Sequence, residues 1–197
     1  MASYFIKQYL LDDGALEIQY IEEHFGEFPQ KKTASEIIRR LSGRNHQILM
    51  AEAPLSNDPG TIVPVSFKVA HELTAYETET DLADLVARLS GVVIFEGRRI
   101  LYNWLGGTRT DWREQGHFRA LTEEQEAWAI AEGFDEVVVK TKNRYHGMRG
   151  TLAQLEFNVI HFERAEDPEE SKLYLSKRLG PHVLSGHRSR RRVKKAG

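Results

Sequence analysis

The chain has 197 residues, 41% of them hydrophobic and 28% charged, with a net charge of −2 and no cysteine. That composition supports a sizeable core and excludes disulfides, thiolate metal sites and a cysteine nucleophile. Residues 180–197 hold six of the 27 basic side chains and no acid, which leaves the preceding body at −8.

Residues 3–10 alternate as a first strand, and residues 15–25 read as an acidic helix broken by Gly26 and Pro29. Thr33-Ala34-Ser35-Glu36 has capping-box spacing, so a helix follows to Leu41 and stops at Gly43. Residues 46–53 and 61–73 are strands joined by the turn-rich run 54–60, which makes them an antiparallel pair. Period two places Phe67, Val69 and His71 on one face.

Residues 74–99 are less regular and read as an insertion between core strands. Within them Thr80 is placed to cap a helix to Leu89. Residues 100–108 form a strand, 114–131 a helix with Ala120, Leu121, Ala127, Trp128 and Ala131 on one side, and 136–141 a strand. A helix over 146–155 and strands over 159–163 and 172–179 complete the body. The order implies a mixed α/β domain over residues 1–179, insertion 74–99 included, followed by a flexible basic tail over 180–197. Removal of residues 185–197 is expected to leave stability unchanged. No apolar run reaches the roughly 20 residues a membrane helix needs, and the N-terminus lacks a signal-peptide pattern. The expectation is a cytoplasmic protein.

Chemistry concentrates where the strand ending at Thr108 turns into a helix near Gly116. Unpaired N–H groups and the dipole at a helix start attract an anion. Gly116 lacks the Cβ that would obstruct a phosphate, and Arg113, His117 and Arg119 add charge around the turn. The run is neither a Walker loop, having no Gly-Lys-Ser/Thr, nor a dinucleotide fingerprint, since Gly106-Gly107 lie too far upstream.

Arg113-Glu114-Gln115-Gly116-His117-Phe118 resembles the Arg/Gln-x-x-Gly-x-Gly/Ala motif of the GNAT superfamily of N-acetyltransferases, departing from it at Phe118. Val137 to Asn143 resembles the family's next strand with its terminal Asn. Met148 to Phe157 resembles the closing helix, with Glu156 in place of Gly and Leu152 where many members have a proton-donating Tyr. The resemblance implies a mixed, mostly antiparallel central sheet, flanked by helices and splayed to admit coenzyme A. It implies acetyl-CoA as co-substrate and direct transfer of acetyl to an amine acceptor. The pyrophosphate would rest on N–H groups of Gln115, Gly116, His117, Phe118 and Arg119, with Arg113 nearby. Pantetheine would lie beside Leu105, Gly106 and Thr108, an N–H near Leu105 would face the acetyl oxygen, and Asn143 would hold the cofactor from the other side. Glu72 and Tyr145 are the acid–base candidates. A non-catalytic module that binds coenzyme A or a partner is the alternative reading. Of the eight histidines only His182 and His187 are spaced like a ligand pair; they lie in the basic tail without cysteine partners, and no metal is expected. The insertion is expected to shape the acceptor pocket or a subunit contact, a homodimer included. The basic tail reads as a solvated terminus before it reads as a nucleic-acid contact.

Overall fold

A computed structural model describes residues 4–23, 31–55 and 57–187. Seven strands form one sheet in the order β1-β2-β3-β4-β5-β7-β6, flanked by helices. They are β1 (Phe5–Tyr9), β2 (His46–Pro54), β3 (Ile62–Leu73), β4 (Ile100–Thr108), β5 (Glu136–Lys142), β6 (Asn158–Glu163) and β7 (Lys172–Arg178). The helices are α1 (Leu11–Glu23), α2 (Ala34–Leu41), α3 (Thr80–Leu89), α4 (His117–Ala131) and α5 (His146–Gln154). Pairing is antiparallel for β1–β2, β2–β3, β5–β7 and β6–β7, and parallel for β4–β5. The chain divides into two compact units, Met1–His71 with Trp104–Thr122, and Glu72–Asn103 with Glu123–Gly197.

In the first unit, α1 and α2 supply Ala15, Ile18, Ile21, Ile37 and Leu41 to one face of the strands, against Ile48, Met50, Phe67 and Val69. Burying each leucine or isoleucine of this set contributes about 1.5–3 kcal/mol. The predicted capping box is present: Glu36 N–H donates to Thr33 Oγ1 and Thr33 N–H to Glu36 Oε2. Helix α1 begins four residues earlier than the sequence pattern places it. Its Gly14 lies so close to β2 that a Cβ would stand 2.8 Å from Ile48 Cδ1. On the other face Leu49, Ala51, Ala53 and Val65 pack with Trp112 and Leu121. A bulge permits this: Ala51 pairs with Ser66 but Glu52 with Pro64, so Val65 has no partner across the ladder. Pro64, which has no N–H to lose, sits beside the irregularity.

In the second unit, β5 pairs with β4 through Ile100–Asn103 and with β7 along its whole length. Helix α3 lies within the segment read as an insertion and buries Leu82, Leu85, Val86 and Leu89. Its N-cap is Glu79, not Thr80, and makes no side-chain cap bond. Helix α4 is more polar inside than its sequence pattern implies. Thr122, Glu123, Gln125 and Glu126 are buried, while Ala131 is exposed.

The expectation that order ends near residue 179 is corrected by the structure. Residues 181–187 are helical, with Val183 and His187 buried. His187 Nε2 lies 2.6 Å from Glu126 Oε2, and Lys177 Nζ donates to both oxygens of that carboxylate at 2.9 Å. A charge removed from water needs such partners to be tolerated. The basic run from Arg188 lies outside the described residues.

Candidate functional site

The end of β4 is fixed by β3. Arg109 N–H donates to Val65 C=O at 2.9 Å, Ser66 Oγ donates to Gly107 C=O at 3.0 Å, and Ser66 Oγ and Thr108 Oγ1 are 2.7 Å apart. Gly106 lies close against β3, where a Cβ would stand a tight 3.3 Å from the Phe67 carbonyl oxygen. Leu105 packs partly against the core beneath α1 and α2.

A short 3₁₀ turn, Thr110–Trp112, follows and anchors the loop by burying Trp112. Glu114 and Gly116 then take φ of +62° and +86°, with Gln115 between them outside the left-handed region. These two positive φ values explain why α4 starts at His117 rather than at Glu114 as the sequence suggests. Alternation of this kind turns successive N–H groups toward one concavity, a form that holds anions. The helix makes an i→i−4 bond from Ala120 N–H to Gly116 C=O, and the N–H groups of its first turn have no acceptor within the helix. Arg113 reaches back from this turn, its Nε 3.2 Å from Thr108 C=O.

The side chains of His117 and Phe118 are taken up by packing. His117 is 1% exposed, wedged between Tyr4 and Trp112 with ring centroids 4.3 and 5.8 Å away. Neither ring nitrogen has a hydrogen-bond partner among the described residues. Burial holds its pKa below the ordinary value, so the ring is neutral and adds no positive charge to the turn. Phe118 departs from the small residue of the motif, and its ring is covered by Lys68, whose Nζ lies 4.3 Å from the centroid. Lys68 is a buried residue in the middle of β3. The sequence gives little warning of this pairing, because a lysine in an alternating strand reads as solvent-facing.

The structure therefore brings Leu105, Gly106, Thr108, Arg113, Gln115, Gly116, His117, Phe118 and Arg119 into the first unit. Glu72, Asn143 and Tyr145 belong to the second. Glu72 is committed to Arg99: its two oxygens accept from Nε and Nη2, each at 2.9 Å. Both oxygens of this carboxylate are thus engaged by one guanidinium. Asn143 donates its N–H to Ser171 C=O at 2.8 Å and accepts from Arg149 Nη1 at 2.9 Å. Tyr145 precedes α5, and its hydroxyl accepts from Arg144 Nη2 at 3.1 Å, leaving its own proton available to donate. Leu152, at the family's tyrosine position, is fully buried.

The fold is that of the GNAT N-acetyltransferases. NAA60 of Arabidopsis thaliana, in complex with acetyl-CoA, superposes with a TM-score of 0.63 at 13% identity, over 89% of this chain and 98% of the other. The ribosomal-protein-S18-alanine N-acetyltransferase of Escherichia coli gives 0.62 at 12% identity, over 90% and 95%. A putative GNAT acetyltransferase of Desulfovibrio desulfuricans gives 0.61 at 13%, over 90% and 100%. No protein-family model and no curated protein matches by sequence, so the likeness is one of fold. Among the described residues, no helix is long and apolar enough to cross a membrane, and no group of His, Cys, Asp or Glu is arranged to hold a metal ion.

Proposed function

We propose that this protein is an N-acetyltransferase that binds acetyl-CoA, with the cofactor pyrophosphate resting on the turn over residues 113–119. The observation that carries the reading is the run of alternating φ at Glu114, Gln115 and Gly116 leading into the start of α4. A turn of that form, followed by first-turn N–H groups that have no acceptor within the helix, favours a diphosphate. The GNAT fold and the acetyl-CoA bound to the Arabidopsis NAA60 support it.

Acetyl-CoA supplies the activated thioester. A neutral amine attacks the thioester carbonyl, the C–N bond forms, the C–S bond breaks, and the coenzyme leaves as a thiolate that takes up a proton. A backbone N–H near Leu105 is assigned to the developing oxyanion. The proton that the nitrogen sheds as the amide forms needs an acceptor. Because Glu72 is held by Arg99, we assign that step to solvent and give Glu72 a structural role. Tyr145, whose hydroxyl proton is available, is assigned to protonate the thiolate. Calorimetric titration with acetyl-CoA, followed by turnover against a panel of small amines and peptide N-termini, tests the reading. Tight binding without turnover on any acceptor would favour the non-catalytic module. With an active acceptor, Tyr145→Phe should lower kcat with little change in KM for acetyl-CoA, and Glu72→Gln should lower stability more than kcat.

A further inference from the structure

A cavity of about 520 Å³ opens in the second unit at the Glu136 end of β5, the opposite end of that strand from Asn143. Strands β6 and β7 form part of its lining through Asn158 and Ser176, which are register partners. The segment between α3 and β4 contributes Val92 and Ile94, which are 49% and 58% exposed.

The charges around it are arranged unevenly. Arg98 and Glu136 close on each other at 3.0 Å and are neutralised. Arg178 and Glu156 also line the cavity, and among the described residues neither is in an ion pair. Each lies two residues beyond the Asn158–Ser176 pair, one past the end of β6 and the other along β7. One unmatched positive and one unmatched negative group thus line the same space without meeting.

Glu156 carries a second anomaly. It stands just past α5 with φ of +66°, where glycine is the favoured residue. The positive φ closes α5 in a Schellman turn, with Phe157 N–H on Leu152 C=O and Glu156 N–H on Ala153 C=O, both at 3.0 Å, and it leaves a carboxylate at the cavity.

We infer that this cavity binds a small zwitterion with an aliphatic body, an α-amino acid of the leucine type. Its carboxylate pairs with Arg178, beside His182, and its ammonium pairs with Glu156. Its side chain lies along Val92 and Ile94. The volume suits a small-molecule site, and a guanidinium is well matched to a carboxylate. A plain acid or a plain amine would leave one of the two protein charges unmatched. The inference is independent of the acetyltransferase reading, because its test is binding in the absence of acetyl-CoA.

The experiment is equilibrium dialysis of the full chain with labelled L-leucine, with L-leucinamide and 4-methylpentanoate as probes lacking one charge each. Wild type should bind leucine, and each one-charge probe should bind at least about tenfold more weakly. Arg178→Ala and Glu156→Gly should each weaken leucine binding by a similar factor. Glu156→Gly also relieves the positive φ, so its thermal midpoint should hold or rise, and its loss of binding cannot be ascribed to unfolding. Absence of leucine binding by wild type at about 10 mM, equal binding of the one-charge probes, or undiminished binding by both variants would each overturn the inference.

Discussion

Substitution at Gly116 separates the parts of the proposed pyrophosphate site. The residue sits at φ +86° in the turn before α4, so any side chain there carries backbone strain. Asparagine and aspartate are matched in size and both tolerate the left-handed region better than most residues. The pair Gly116→Asn and Gly116→Asp therefore share strain and bulk, and differ in one charge. A negative side chain about 5 Å from a phosphate, at an effective dielectric of about 20, is repelled by roughly 3 kcal/mol. That corresponds to about a hundredfold in Kd. Both variants should bind acetyl-CoA more weakly than wild type, since the added atoms obstruct N–H groups whose charge-assisted bonds are worth roughly 1.5–3 kcal/mol each. The aspartate should be weaker again by about two orders of magnitude at low salt, with the gap narrowing as salt screens the charge. Calorimetry on folded protein, checked by circular dichroism, reads all three affinities. Equal affinities for asparagine and aspartate, close to wild type, would refute the placement of the diphosphate at this turn.

Three further perturbations follow from the packing. His117 is buried neutral with its pKa held below the ordinary 6.5, so the unfolded chain binds its proton more readily. Its contribution to stability is complete above about pH 6.5 and is lost as pH falls below that value. The thermal midpoint should therefore drop on acidification, and His117→Phe should flatten that part of the profile. Glu126→Gln leaves Lys177 and His187 buried beside a neutral amide, and should cost about 3–5 kcal/mol in chemical denaturation. Truncation before residue 181 should lower the midpoint by removing His187, whereas truncation after residue 187 should not. Phe118→Gly uncovers Lys68 and removes a half-buried ring, so it should destabilise by about 2 kcal/mol rather than improve cofactor affinity. A gain in affinity without loss of stability would show that the ring obstructs the site instead.

Much of the fold was legible because its signals are local. The capping box of Thr33 and Glu36, the turn between β2 and β3, and the period-two pattern of Phe67 and Val69 depend on residues a few positions apart. Each therefore survives whatever packs around it. The turn before α4 was legible for the same reason, as an arginine and a glycine at fixed spacing before a helix. The start of α4 was misplaced by three residues because nothing in the letters of Glu114 announces a φ of +62°.

Tertiary structure decided the fate of the charged and polar side chains. His117 looked like a cation at an anion site until Tyr4 and Trp112, 113 and five residues away, closed over it. Arg99, 27 residues away, engages both oxygens of Glu72, and the start of the tail looked loose until Glu126 took His187. Hydrophobic patterning and backbone hydrogen bonding are properties of short segments and are written in sequence order. Whether a charge is solvated, paired or buried depends on desolvation by neighbours distant in the chain, and only the folded structure brings those neighbours together.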